Sequence, residues 1–114
     1  MYNDEEKIIC SAIWYLEIPI KKHYEDNVLP VNCDKGLVFC GFRHCHCMYT
    51  MCSVTGLRSV KPEVGEYVQG FLTNKNRFVD RQEAYRIAFT QNQIIGPNKG
   101  CETNYVGLTS EDLY

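Results

Sequence analysis

Residues 70–93 read GFLTNKNRFVDRQEAYRIAFTQNQ, and the local chemistry of this stretch decides the fold class. Gly70-Phe71-Leu72-Thr73 completes an apolar run begun at Tyr67, the composition of a strand. Asn74-Lys75-Asn76 tolerates left-handed dihedrals, which predicts a hairpin-like turn into a very short strand at Arg77-Phe78-Val79. Asp80 then offers the side-chain oxygen that a helix N-terminus needs. Glu83, three residues on, predicts a capping-box-like pair in which each side chain satisfies an orphan backbone donor. The helix is expected to run to about Asn92, burying Ala84, Ile87 and Ala88 together with Tyr85 or Phe89. Three arginines (Arg77, Arg81, Arg86), four aromatics and a helix start in one stretch suit an anionic, ring-bearing ligand better than a hydrolase.

Upstream, residues 7–16 (KIICSAIWYL) are apolar on both alternating faces, with Ile8, Cys10, Ala12 and Trp14 pointing one way and Ile9, Ile13 and Tyr15 the other. That is the pattern of a central strand covered on both sides. Residues 17–35 carry two prolines and no clean period and form a long excursion. After the turn chemistry of Asp34-Lys35-Gly36, residues 36–42 (GLVFCGF) predict a second strand, antiparallel to the first. Next come Cys45, Met48 and Cys52 at helical spacing, with His44, Met48 and Met51 on an adjacent stripe and Gly56 as terminator. Residues from Ile94 onward read as loop. Ser110-Glu111-Asp112 opens a helix that has no room to continue, so the C-terminus is a docked tail at most. The order β-β-α-β-β-α argues for an α+β fold in two layers: an antiparallel sheet of four or more strands with two helices on one face, in one domain spanning residues 1–114.

A chain of 114 residues supports a single core, burying somewhat over ~60% of its unfolded surface. Twelve Lys and Arg are spread among fourteen Asp and Glu, so there is no basic excess of the kind a polymeric nucleic-acid partner requires, and any anion site must be local. No apolar run approaches the ~20 residues that span a bilayer, and the start of the chain is acidic where a signal peptide is basic. A cytoplasmic protein without a membrane partner is expected. Seven cysteines, an odd number, then read as free thiols acting as small hydrophobes.

The run His44-Cys45-His46-Cys47 invites a zinc site, but adjacent residues on a helix diverge by about 100° where zinc needs four converging ligands. A cysteine-loaded apolar helix face with outward histidines is the simpler reading. Nucleophilic catalysis at Cys45 or Cys47 meets the same objection, since sequence neighbours on a helix rarely face each other. Asp80 and Glu83 are accounted for as caps, and no other carboxylate pair is promoted for acid–base work. These readings point away from an enzyme and from any cofactor. Arg43-His44 falls where the second strand gives way to a helix, a place suited to phosphate, although a solvated arginine followed by an N-terminal histidine fits equally well. Arg77 and Arg81 straddle the second helix start, where positive charge opposes the macrodipole; this favours either a ligand role or a salt bridge to Glu102, Glu111 or Asp112. Phe71 is core by alternation, while Gly70 beside it marks a close backbone or ligand approach that would leave an aromatic face for a purine.

Gly70-Phe71-Leu72-Thr73, the run from Arg77 to Ala84, Ile87-Ala88, Gln93-Ile94, the terminal Ser110-Glu111-Asp112-Leu113-Tyr114 and the upstream Gly41-Phe42-Arg43-His44 together resemble a set shared by small phage and prophage proteins. These are the first type of Thoeris anti-defence sponges, which sequester the cyclic ADP-ribose signals of bacterial TIR proteins, some binding the cyclic trinucleotides of CBASS defence too. The resemblance implies a small α+β protein of the bacterial host cytoplasm that binds without cleaving. It further implies homodimers and hexamers built as trimers of dimers. Arg43 and His44 would meet phosphate or ribose, Phe71 would stack on the base, and Arg77 and Arg81 would supply charge. The ligand would be a cyclic ADP-ribose isomer or another cyclic nucleotide. The competing readings are an enzyme that degrades such a signal and a protein-binding phage inhibitor.

Overall fold

A computed structural model describes residues 5–19, 29–96 and 107–114. Four strands form one antiparallel sheet in the order β2-β1-β3-β4: β1 (Ile8–Tyr15), β2 (Leu37–Gly41), β3 (Tyr67–Thr73) and β4 (Phe78–Asp80). Among the described residues three α-helices accompany it, α1 (His44–Thr55), α2 (Lys61–Val64) and α3 (Arg81–Thr90), with a 3-10 turn at Ser110–Asp112. The mixed α+β class and the antiparallel sheet agree with the sequence. The short α2 was not expected. It arises because Pro62 stands at the head of the turn, where its fixed dihedral is already helical.

β1 lies in the middle, and its two faces build different cores. Ile13 and Tyr15 pack with Cys47, Met51 and Val64 under α1 and α2. Ile8 and Phe71 pack with Val79, Ala84, Tyr85, Ala88, Ile94 and Leu108 under α3. On the opposite face Ala12, Cys33 and Phe78 meet Trp14, Leu29, Val38 and Leu72. Strict alternation would put Ile8 with Cys10, Ala12 and Trp14. A register shift between Ile8 and Cys10 against β3 instead delivers Ile8 to the helix face and leaves Ile9 53% exposed. The outer edge of β4 is closed by an amide. Asn32 accepts from the Phe78 N–H at 2.8 Å and donates to the Phe78 carbonyl at 2.7 Å, imitating a neighbouring strand.

The register decides where the helices begin. Gly41, Ser11, Phe71 and Val79 lie in one row across the sheet, and Cys40, Ala12, Gly70 and Asp80 in the next. β2 runs one way and stops in the first row; β4 runs the opposite way and stops in the second. α1 and α3 therefore leave the sheet from its middle. α1 extends over the Tyr15 half and α3 over the Ile8 half, so their N-termini face each other.

Candidate anion-binding site

Each helix start is built from local chemistry. At α3 the Asp80 side chain accepts from the Glu83 N–H at 2.9 Å, as expected of a cap. The reciprocal half is absent, because the Glu83 carboxylate instead receives Arg77 Nη2 at 2.8 Å. At α1 the N-cap is Arg43, which has no acceptor to offer; His46 Nδ1 accepts from the Arg43 N–H at 3.2 Å in the place a Glu would take. Gly56, in the left-handed region at φ 78°, ends α1 as the sequence indicates.

Between the two N-termini lies a recess of about 500 Å³ lined by Arg43, His44, Cys45, Arg81, Thr109, Ser110 and Glu111. Three residues singled out from sequence, Arg43, His44 and Arg81, are thereby brought together. His44, the first residue of α1, is buried, so it does not point outward as expected. The inward stripe of α1 is His44, Cys47 and Met51, one residue out of phase with the Cys45–Met48–Cys52 stripe, and Cys45 is exposed. His44 Nε2 lies 2.7 Å from the Gly70 carbonyl and can only donate to it, which leaves Nδ1 as the acceptor for Arg81 Nη2 at 3.4 Å. The imidazole is thus neutral, with the proton on Nε2. Burial holds its pKa below the ordinary histidine value; the Gly70 bond opposes that shift, and the Arg81 charge adds to it.

Arg81 holds the C-terminal tail against the first turn of α3. Its Nη1 donates to the Leu108 carbonyl at 2.8 Å, its own carbonyl accepts the Leu108 N–H at 2.9 Å, and Nη2 donates to Gln69 Oε1 at 2.6 Å. The tail approaches so closely that a Cβ on Gly107, at φ 87°, would stand 2.6 Å from Arg81 Cβ. Arg43 grips the far end, donating to Ser110 Oγ at 3.1 Å and to the Tyr114 main-chain oxygen at 2.8 Å, with its guanidinium 4.6 Å above the Phe42 ring. Among the described residues no Asp or Glu side chain forms an ion pair with either arginine. Glu111 is the acid of the recess and acts at longer range on His44 and Arg81.

The other two predicted residues lie elsewhere. Phe71 is fully buried in the α3 core, with its ring edge-on to His44 at 5.1 Å, so the base-stacking role implied by the resemblance has no exposed face to act through. The reason is alternation: Gln69, Phe71 and Thr73 share the helix side of β3. Gly70, on the other side, marks a close backbone approach, since a Cβ there would meet the Val79 carbonyl oxygen at 2.0 Å. Arg77 does not line the recess. Its Nε and Nη2 bind Glu6 at 2.8 and 2.9 Å, and Nη2 also reaches Glu83. This ion-pair hub answers the charge with Glu6 and Glu83; Glu102, one of the acids considered from sequence, lies outside the described residues. Gln69 and the tail residues Thr109, Ser110 and Glu111 were not singled out. Gln69 carried a signal, because an amide on the core face of a strand demands a partner.

Burial pushes the Cys47 thiol up to about 12, and Sγ points at the Arg43 and Ser11 carbonyls at 3.4 and 3.6 Å. Among the described residues no group of three or more His, Cys, Asp and Glu is placed to hold a metal ion. No helix among them is long and apolar enough to cross a membrane.

A family model described as the phage T4 y16D protein matches residues 7–114. The chain belongs to this phage family. The matched residues take in the sheet, the helices α1 to α3 and every residue lining the recess. No curated protein and no solved structure matches.

Proposed function

We propose that this phage protein is an accessory factor that binds a phosphate-bearing cyclic nucleotide in the recess between α1 and α3 and holds it without cleaving it. The observation that carries this reading is the head-to-head meeting of two helix N-termini with Arg43, Arg81 and a neutral His44. Two positive dipole ends and two guanidinium groups converge, and Glu111 alone among the lining residues offsets them. Both arginines keep N–H groups beyond those bound to the tail, each guanidinium having five donors. The volume, about 500 Å³, falls in the range of small-ligand sites. His44, with both ring nitrogens engaged, is placed to position and not to exchange protons. The motif resemblance to Thoeris anti-defence sponges supports a finer reading: the ligand is a cyclic ADP-ribose immune signal, sequestered in the bacterial host cytoplasm. In that reading a homodimer, or a hexamer built as a trimer of dimers, closes the open side of the recess with a second copy.

The test is retention and release. Protein is incubated with a glycocyclic ADP-ribose isomer or, separately, a cyclic trinucleotide, passed through a desalting column, heated, and the supernatant analysed by mass spectrometry. Intact ligand appearing only after heating supports sequestration, and Arg43→Ala should reduce its retention by about tenfold or more, the loss of one charge-assisted fork. A cleaved product would establish an enzyme instead. No retention of either ligand would leave the protein-binding inhibitor.

A further inference from the structure

On the sheet face away from α1 and α3, two thiols stand side by side. Cys40 of β2 pairs directly with Ala12 of β1, and Cys10 is two residues before Ala12 on the same face, so the cysteines are diagonal neighbours across the strand pair. Both are free, Cys40 exposed and Cys10 half-buried. The neighbouring Cys10 thiol holds the Cys40 thiol below the ordinary cysteine value, and Cys40, together with burial, pushes Cys10 up. An exposed thiol made more acidic by a protonated neighbour is the arrangement of an attacking cysteine beside a resolving one.

We propose that Cys40 and Cys10 form a redox-modification site that reacts with low-molecular-weight disulfides and closes to a cross-strand disulfide. In the first step the Cys40 thiolate attacks one sulfur of the reagent disulfide; a Cys40–S–S–R bond forms, the reagent S–S bond breaks, and one thiolate leaves. In the second, Cys10 gives up its proton to that thiolate and attacks the Cys40 sulfur. The Cys10–Cys40 bond forms and the second reagent thiol departs, so two protein thiols are oxidised and one reagent disulfide is reduced to two thiols. A diagonal pair is wider than the usual disulfide span, so closure requires one strand to shift. Two features supply that freedom: the register irregularity of β1 falls between Ile8 and Cys10, and among the described residues β2 has no partner on its outer side.

The experiment is timed exposure of the reduced full chain to oxidised glutathione, acid quenching, alkylation of remaining thiols, and intact and peptide mass spectrometry. The expected product has lost two hydrogens and carries a Cys10–Cys40 linkage, with Cys40 consumed about tenfold faster than the exposed Cys45 or more. Cys10→Ser should trap the glutathione adduct on Cys40; Cys40→Ser should leave Cys10 reduced. Circular dichroism confirms that each variant is folded. The proposal is overturned if Cys40 reacts no faster than Cys45, if its adduct persists in the unmutated chain, or if the linkages formed are spread over other cysteines.

Discussion

Replacing Phe71 by alanine separates the two roles its position suggests. The ring has no exposure and sits among Ile8, Val79, Ala84, Tyr85, Ala88 and Leu108, so truncation removes a full aromatic side chain from the centre of the α3 core. Substitutions of this kind cost about 3–5 kcal/mol, through lost transfer energy and the cavity left behind. At about 2.1 cal/mol/K of unfolding entropy per residue, a 114-residue chain loses about 12–21 °C in Tm for that cost. Against a total stability of about 5–15 kcal/mol, this brings the protein near to unfolding. Differential scanning calorimetry reads the shift directly, with Phe71→Leu as companion, since leucine refills much of the space and should cost about 1–2 kcal/mol. The result that refutes the core assignment is a Tm drop of less than about 4 °C for Phe71→Ala, about 1 kcal/mol for a chain of this size. If Phe71→Leu melts like the parent yet retains no ligand, the ring acts on the ligand after all.

Two further outcomes test the helix starts. Asp80→Ala should cost about 1 kcal/mol in urea denaturation, because the Glu83 N–H loses its acceptor; Glu83→Ala should leave that cap intact and weaken only the Arg77 cluster, so equal losses would contradict the bond pattern. His44 gives a pH signature. Its folded pKa is depressed, so the unfolded chain takes up the proton first; the contribution is present above the unfolded value of about 6.5 and is lost as pH falls from there through the folded pKa. Urea midpoints between about pH 7 and pH 5 should fall in the parent and stay flatter in His44→Gln. Glu6, also depressed, by its bond to Arg77, loses its contribution only at more acid pH, and a parent with no loss in this window would refute the neutral His44.

What the sequence disclosed follows the range of the forces involved. Strand composition, the left-handed Asn76, the Gly56 terminator and the Asp80 cap depend on a few neighbouring residues, and each stands where the sequence places it. Apart from the short α2, which Pro62 starts locally, the errors involve distance. Arg77 finds Glu6 seventy-one positions away. A bulge in β1 reassigns Ile8 because of its pairing with β3. The phase of α1 slips by one residue because His44 has a specific acceptor, the Gly70 carbonyl, which no helical period reveals. Arg43, His44 and Arg81 were legible as candidates because each sits at a helix start. That the starts coincide in space depends on β4 being only three residues long, ending at Asp80 beside Ala12 and Cys40 across the sheet.

That coincidence explains why arginine is tolerated at the first position of α3. Two positive helix ends facing each other repel, and Arg81 and Arg43 add charge of the same sign, so the arrangement requires electron-rich atoms between them. The tail provides part of this: the Leu108 carbonyl, the Ser110 hydroxyl and the Tyr114 main-chain oxygen each take a guanidinium N–H, while Glu111 contributes a more distant charge. Glu111 answers part of the two guanidinium charges. On the proposed function, the guanidinium groups that hold the tail are the same ones a phosphate would approach. If the proposed ligand binds there, its binding and tail docking are linked through Arg43 and Arg81, because the anion would either share these donors with the tail or displace it.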